Sequence, residues 1–255
     1  NWNTTQMGGM INLVAFCDDE PGAQIYSAAA DREQAELVYR QTKGMILNNP
    51  EMEHQVQIFS TYKSIAYPGN VVYKALSADA DTKHGYNTQF VCVDELHAQP
   101  NRNLVDVLTT STGSRRQPLV WYITTADFDR ESICNEKHNY ASKVRDGIID
   151  DPSFLPCIFE ASIDDDWESP EVWRKANPNL GVSISEEYLA RECKRAKDTP
   201  TYLNTFKRLH LNIKTTNDVA WLTMDKWDAC GADFDPKILE GRECYAGLDL
   251  SSTPD

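Results

Sequence analysis

Phe90-Val91-Cys92-Val93-Asp94-Glu95 constrains the fold more than any other stretch of the chain. Four consecutive apolar residues make a strand buried on both faces, the kind found in the middle of a parallel sheet. Two carboxylates follow at its C-terminal edge. In open α/β sheets that edge is where ligands bind. Hydrolysis of a nucleoside triphosphate needs one acid there to hold Mg2+ and a second to orient the attacking water. Asp94 suits the first role and Glu95 the second. The plainer reading is a solvated acidic pair at a strand end. Asp94-Glu95-Leu96-His97 also fits the DExH box of helicase-like ATPases.

The surrounding pattern supports a sheet of this kind. Ala23 to Ala30 reads as a buried strand, and Asp31 caps a helix that runs to about Leu47, with Asn49-Pro50 as its stop. Gln55 to Phe59 reads as a strand. Ser64 to Tyr67 and Val71 to Leu76 flank a hairpin turn at Pro68-Gly69-Asn70. A helix from about Asn101 to Thr110, a buried strand from Leu119 to Thr124, a long helix from Arg130 to Ile149 and a strand from Leu155 to Glu160 follow. Alternation of strands and helices predicts an α/β, doubly wound, mostly parallel sheet. Short capped helices come next, at Ser169-Pro170, Ser185-Glu186-Glu187 and Thr199-Pro200. Asn212 to Val219 reads as a polar linker, and Glu243 to Leu250 as the strand that opens a new domain. The boundaries expected are 1–160, 161–219 and 220–255.

Three further groups carry chemistry. The strand ending in Thr124-Thr125 belongs beside the Asp94 strand, where two hydroxyls sense a γ-phosphate; a plain strand end is the alternative. Lys83-His84-Gly85 and Arg115-Arg116 offer cations of the kind that ring ATPases insert into a neighbouring subunit's site, although basic loop residues are more often simply solvated. Gly247-Leu248-Asp249-Leu250 places an acid at a strand end, as the first metal ligand of a two-metal nuclease does.

A phosphate-binding loop, GxxxxGK[ST], is missing. Its expected place holds Thr5-Gln6-Met7-Gly8-Gly9-Met10-Ile11, and the first lysine is Lys43. Gly8-Gly9 is read as a turn or a deletion junction, and the chain as written is expected to hydrolyse ATP poorly. The start, without Met, suggests a sequence that begins mid-protein.

Composition narrows the classes. At 255 residues, the chain is long enough for one large domain or one domain and part of another. Seven scattered cysteines with no CxxC argue against a disulfide framework or a zinc site, and for a reducing cytosol. No apolar run approaches the roughly 18 residues of a membrane span. A net charge of −14 argues against a surface that grips DNA all over.

From Glu20 onward the sequence resembles the large terminase subunit of tailed double-stranded DNA phages. The resemblance rests on Asp19-Glu20-Pro21-Gly22-Ala23, Ser27 to Ala35, Ser77-Ala78-Asp79 through Lys83-His84-Gly85, Val93 to Pro100, Ile123-Thr124-Thr125-Ala126, Trp173 to Pro178 and Tyr245 to Ser251. It implies a P-loop NTPase-like packaging ATPase domain over 1–160, a small helical subdomain and linker over 161–219, and the first strand of an RNase H-like nuclease domain over 220–255. It implies ATP and Mg2+ as cofactors, with two divalent metals, Mg2+ or Mn2+, in the nuclease. It further implies double-stranded DNA, a portal protein and a small terminase subunit as partners, a homo-oligomeric ring on the procapsid, and a place in the host cytoplasm. Carried over residue by residue, Asp94 resembles the metal-binding acid, Glu95 the catalytic glutamate, Thr124 and Thr125 the coupling motif, and Asp249 the first nuclease carboxylate. His84, beside Lys83, stands where family members often have arginine. A non-catalytic remnant that only docks on partners, and another DExH-type DNA translocase or helicase, remain open alternatives.

Overall fold

The computed structural model describes residues 2–78, 85–216 and scattered positions between 228 and 245. The chain divides into two compact units, 1–219 and 220–255. In the second, the described backbone makes local turns, with Gly231 N donating to Asp228 O and Glu240 N to Lys237 O.

In the first unit six strands, β1 (Gln24–Ala29), β2 (Gln57–Phe59), β3 (Ser64–Tyr67), β4 (Val71–Ser77), β5 (Thr88–Val93) and β6 (Leu119–Tyr122), make one sheet. Their order is β2-β3-β4-β1-β5-β6. The strands β4, β1, β5 and β6 run parallel, and the β2-β3-β4 end is antiparallel. Pro68-Gly69-Asn70 turns β3 into β4, with Gly69 at φ 72° and Asn70 at φ 58°, values that a bulkier side chain resists.

Side chains alternate across the sheet, as a two-residue period requires. Ile25, Tyr73, Phe90 and Cys92 pack with Met7, Ile11, Val38 and Ile46 from the helices α1 (Trp2–Cys17) and α2 (Arg32–Leu47). Tyr26, Ala28, Leu76, Val91 and Val93 face the other way, onto Leu104, Val105 and Leu108 of α4 (Asn103–Thr110) and Ile133 and Cys134 of α5 (Ile133–Arg145). All six residues of β5 are buried, and it lies inside the sheet between β1 and β6, an interior parallel strand of the kind its apolar run predicts. Helices on both faces of a mostly parallel sheet confirm the doubly wound class. Asp31 caps α2 as expected, its carboxylate accepting from Gln34 N at 2.9 Å.

Several local expectations fail. Gly8 and Gly9 lie inside α1, so they are neither turn nor loop. A methyl group at Gly8 would sit 3.0 Å from Thr42 N and 3.1 Å from Gln41 Cβ, which explains this glycine as a close approach between α1 and α2. Asn49-Pro50 starts a short helix, α3 (Pro50–Glu53), instead of only ending α2, because the Asn49 side chain accepts from Glu51 N and Met52 N. The long helix α5 is shorter at both ends than predicted: Ser132 caps it and Gly147, at φ 72°, follows its end. No strand forms over 155–160. Leu155 is 85% exposed, and this backbone meets the end of a later helix instead, with Phe159 O accepting from Asn212 Nδ2.

Past residue 160, the helices α6 (Pro170–Ala176), α7 (Glu186–Asp198) and α8 (Pro200–Leu211) enclose their own small core around Trp173, Leu189 and Phe206. Ser169 and Ser185 cap the first two through their hydroxyls. The tract read as a linker begins packed: Ile213 is buried, and Thr215 O accepts from Asp129 N at 2.9 Å.

Candidate active site

Parallel strands bring the ends of β1, β4, β5 and β6 to one edge. Asp94 leaves β5 there, its amide still in the sheet and donating to Ala28 O at 2.8 Å. Its side chain is only 6% exposed. The carboxylate accepts from Glu95 N at 3.1 Å. Burial pushes its pKa above the usual aspartate range, opposed only by that one backbone hydrogen bond. A buried carboxylate without a cationic partner is costly, and a divalent ion is the natural complement to it. Asp94 therefore fits a metal that takes most of its ligands from outside the protein, since among the described residues no cluster of three or more His, Cys, Asp or Glu forms.

Glu95 sits in the left-handed region, at φ 48° and ψ 55°. A non-glycine residue pays for that conformation, and such strain gathers at functional sites. The turn aims Glu95 along the edge. Burial, and then the negative charge of Asp94, raise its pKa. Two acids of this kind at one edge can divide the work of metal binding and water activation between them.

The loop after β6 lies beside them. Ile123 N donates to Val93 O at 2.9 Å, and Leu96 N donates to Ile123 O at 3.3 Å, so the two strand exits are laced together. Thr124 Oγ1 accepts from His97 N at 3.1 Å, and Thr125 Oγ1 lies 3.4 Å from His97 Nδ1. Asp127, 1% exposed, anchors the continuing loop: it accepts from Phe128 N and Ser132 Oγ and pairs with Arg130. The exit of β5, with Asp94 and Glu95, and the exit of β6, with Thr124 and Thr125, thus lie side by side.

Arg115 and Arg116 are not part of this group. They lie at the opposite, amino-terminal edge, a strand length of roughly 20 Å away. Arg115 donates to the carbonyls of Gly22 and Asn87, and Arg116 pairs with Glu20 at 2.7 Å, holding the turn that enters β1. Lys83, His84 and Asp249 lie outside the described residues.

Two residues were given no role in the site by the sequence. One is His97, which enters there only as the last position of the DExH match and is treated below. The other is Thr4, on the first turn of α1, 2% exposed with its hydroxyl unpartnered. The far end of α1 is fixed at the amino edge, where Asp18 accepts from Gln89 Nε2 near the start of β5. Sixteen helical residues span roughly 24 Å, so the start of α1 comes up to the carboxyl edge. A helix N-terminus favours anions. The signal in the sequence was a hydroxyl at the beginning of an apolar helical period, which Gly8-Gly9 obscured.

A doubly wound sheet with an acidic pair at its carboxyl edge, coupled to hydroxyls on the neighbouring strand, defines a P-loop NTPase-like domain. The chain belongs to the terminase large subunit family: residues 2–143 match the model of the terminase large subunit ATPase domain, and residues 148–255 that of the terminase large subunit endonuclease domain. It is 34% identical over 235 residues to the large terminase subunit of Enterobacteria phage HK97, a match that covers 91% of this chain and 45% of that protein. It is 33% identical over 168 residues to the protein YmfN of Escherichia coli (strain K12), covering 66% and 37% respectively. The chain thus spans less than half the length of either relative. Among solved structures, the large terminase of bacteriophage HK97 superposes with a TM-score of 0.75 at 29% identity, over 91% of this chain and 48% of that one. The large terminase ATPase domain of Thermus phage P74-26 shares the fold, with a TM-score of 0.52 at 12% identity over 82% of this chain and 83% of that one.

Proposed function

We propose that this chain is part of the large terminase subunit of a tailed double-stranded DNA phage, an ATP-driven motor that moves DNA into a procapsid and cuts the concatemer with its nuclease domain. The observation that carries this reading is the pairing of Asp94 and Glu95 with Thr124 and Thr125 at one sheet edge, in a chain that matches both domain models. Residues 1–160 are assigned to the packaging ATPase, 161–219 to the helical subdomain and linker, and 220–255 to the start of an RNase H-like nuclease.

Asp94 would hold Mg2+, and the start of α1 with Thr4 would face the phosphates of ATP. Bound Mg2+ supplies neutralisation of the charge that develops on the transferred phosphoryl group. Glu95 accepts a proton from the attacking water and orients it; its raised pKa, caused by burial, moves it toward the range where a base works well. Thr124 and Thr125 sense the outcome and pass it to the loop that carries Asp127. The 255 residues hold no GxxxxGK[ST], so a lysine on the phosphates is not among the groups assigned. Lys83, His84 and the exposed Arg116 are candidates to act in trans on a neighbouring subunit in a homo-oligomeric ring; Arg115, whose side chain is 7% exposed and bonded to the carbonyls of Gly22 and Asn87, would have to leave those partners to join them. Asp249 is assigned as the first nuclease carboxylate, working with two divalent metals, Mg2+ or Mn2+. Double-stranded DNA, the portal protein and the small terminase subunit are the proposed partners, in the host cytoplasm. Among the described residues no helix is long and apolar enough to cross a membrane.

The test uses the full-length protein that carries this segment. Asp94→Asn is expected to weaken Mg2+-dependent binding of a fluorescent ATP analogue by about tenfold or more, while Glu95→Gln leaves it nearly unchanged. Equal binding by wild type and Asp94→Asn would remove Asp94 from the metal site.

A further inference from the structure

His97 stands between the catalytic glutamate and the threonine pair. Its Nδ1 lies 3.3 Å from Glu95 Oε2, 3.1 Å from Thr124 Oγ1 and 3.4 Å from Thr125 Oγ1. Its backbone is held at both ends: the amide donates to Thr124 Oγ1 at 3.1 Å, and the carbonyl accepts from Arg130 Nη2 at 3.1 Å. Arg130 is in turn paired to the buried Asp127. The imidazole therefore has little freedom to leave this position.

Hydrogen-bond counting fixes which ring nitrogen carries the proton. Thr124 has one hydroxyl proton, and it goes to Thr125 O at 2.9 Å. Toward His97, Thr124 Oγ1 is thus an acceptor. The Glu95 carboxylate is an acceptor as well. Nδ1 faces both, so Nδ1 carries a proton, and one N–H is shared between an acceptor in the turn after β5 and one in the loop after β6. Burial lowers the pKa of His97, consistent with a neutral ring.

We propose that His97 is the positioning residue for Glu95: its Nδ1–H holds the carboxylate against the β6 loop and passes to Thr124 when Glu95 turns to the attacking water. This rests on the ATPase reading above. A shared donor can satisfy only one acceptor fully at a time. Movement of Glu95 therefore changes the bond to Thr124, and with it the loop that runs through Asp127 to Arg130 and docks on Thr215. His97 itself touches no substrate in this scheme.

The experiment compares His97→Ala, His97→Asn and His97→Gln in the full-length protein, by steady-state ATP hydrolysis and thermal melting. Asparagine presents an N–H at the same distance from the backbone as Nδ1, whereas glutamine reaches as far as Nε2. We expect His97→Ala and His97→Gln to lower kcat by about tenfold to a hundredfold while KM stays within about twofold. His97→Asn should recover kcat to within a few-fold of wild type. A wild-type kcat in His97→Ala, or His97→Asn performing no better than His97→Gln, would overturn the proposal. Should His97→Ala not fold, the Asn and Gln variants decide between the two outcomes on their own. An inert wild-type protein would sink the ATPase reading itself, and the proposal with it.

Discussion

Glu95 shows how a strained residue marks a site. Its left-handed backbone is a cost of about 1 kcal/mol for a residue with a Cβ, and without the carboxylate the Nδ1–H of His97 keeps Thr124 Oγ1 as an acceptor at 3.1 Å. The carboxylate is also partly desolvated beside Asp94, so it is held in its charged form at a further cost. Glu95→Gly is therefore expected to raise stability to urea by about 1 kcal/mol while removing the base. Unchanged or lower stability would mean that the turn is not strained at this position. The acidic pair was legible from sequence because a fully apolar run ending in two carboxylates depends only on local pattern. The role of His97 was not, because the expected pairing of β5 with β6 does not say which side chains of the two following turns meet, and His97 Nδ1 meets Thr124 only through the shape of those turns.

At the scale of elements, the two glycines of α1 carry opposite expectations. At Gly8 an added methyl meets the backbone of Thr42 at 3.0 Å, so Gly8→Ala should cost about 1–3 kcal/mol by forcing α1 from α2. At Gly9 nothing lies within 4 Å, and Gly9→Ala should stabilise the helix by about 0.5–1 kcal/mol. Chemical denaturation of the two variants checks both signs, and a shared sign would contradict this packing account. The same pair explains one failure of sequence reasoning: two adjacent glycines signal a turn locally, and only the crossing of α1 over α2 shows why one of them is needed inside a helix. The segment from Leu155 to Glu160 failed for a related reason. Its short apolar run has a strand's composition, but it pairs with no strand, and Glu160 is held instead by His138 and Arg145 from α5. By contrast, the capped helices α2, α6 and α7 were found where a Ser or Asp preceded them, because a cap is a local device.

At the scale of the whole molecule, the alternation of strands and helices was enough to give the doubly wound class, while of the order β4-β1-β5-β6 only the neighbourhood of β5 and β6 was expected from sequence. The net charge of −14 agrees with the proposal that contact with DNA is local and does not involve the whole surface. Whether the edge holding Asp94 and Glu95 is an ATPase centre is decided by steady-state ATP turnover of the full-length protein, wild type against Glu95→Gln. The wild type is expected to turn over ATP, and Glu95→Gln to lose at least about a hundredfold with nucleotide binding retained. Near-wild-type turnover in Glu95→Gln would contradict that assignment.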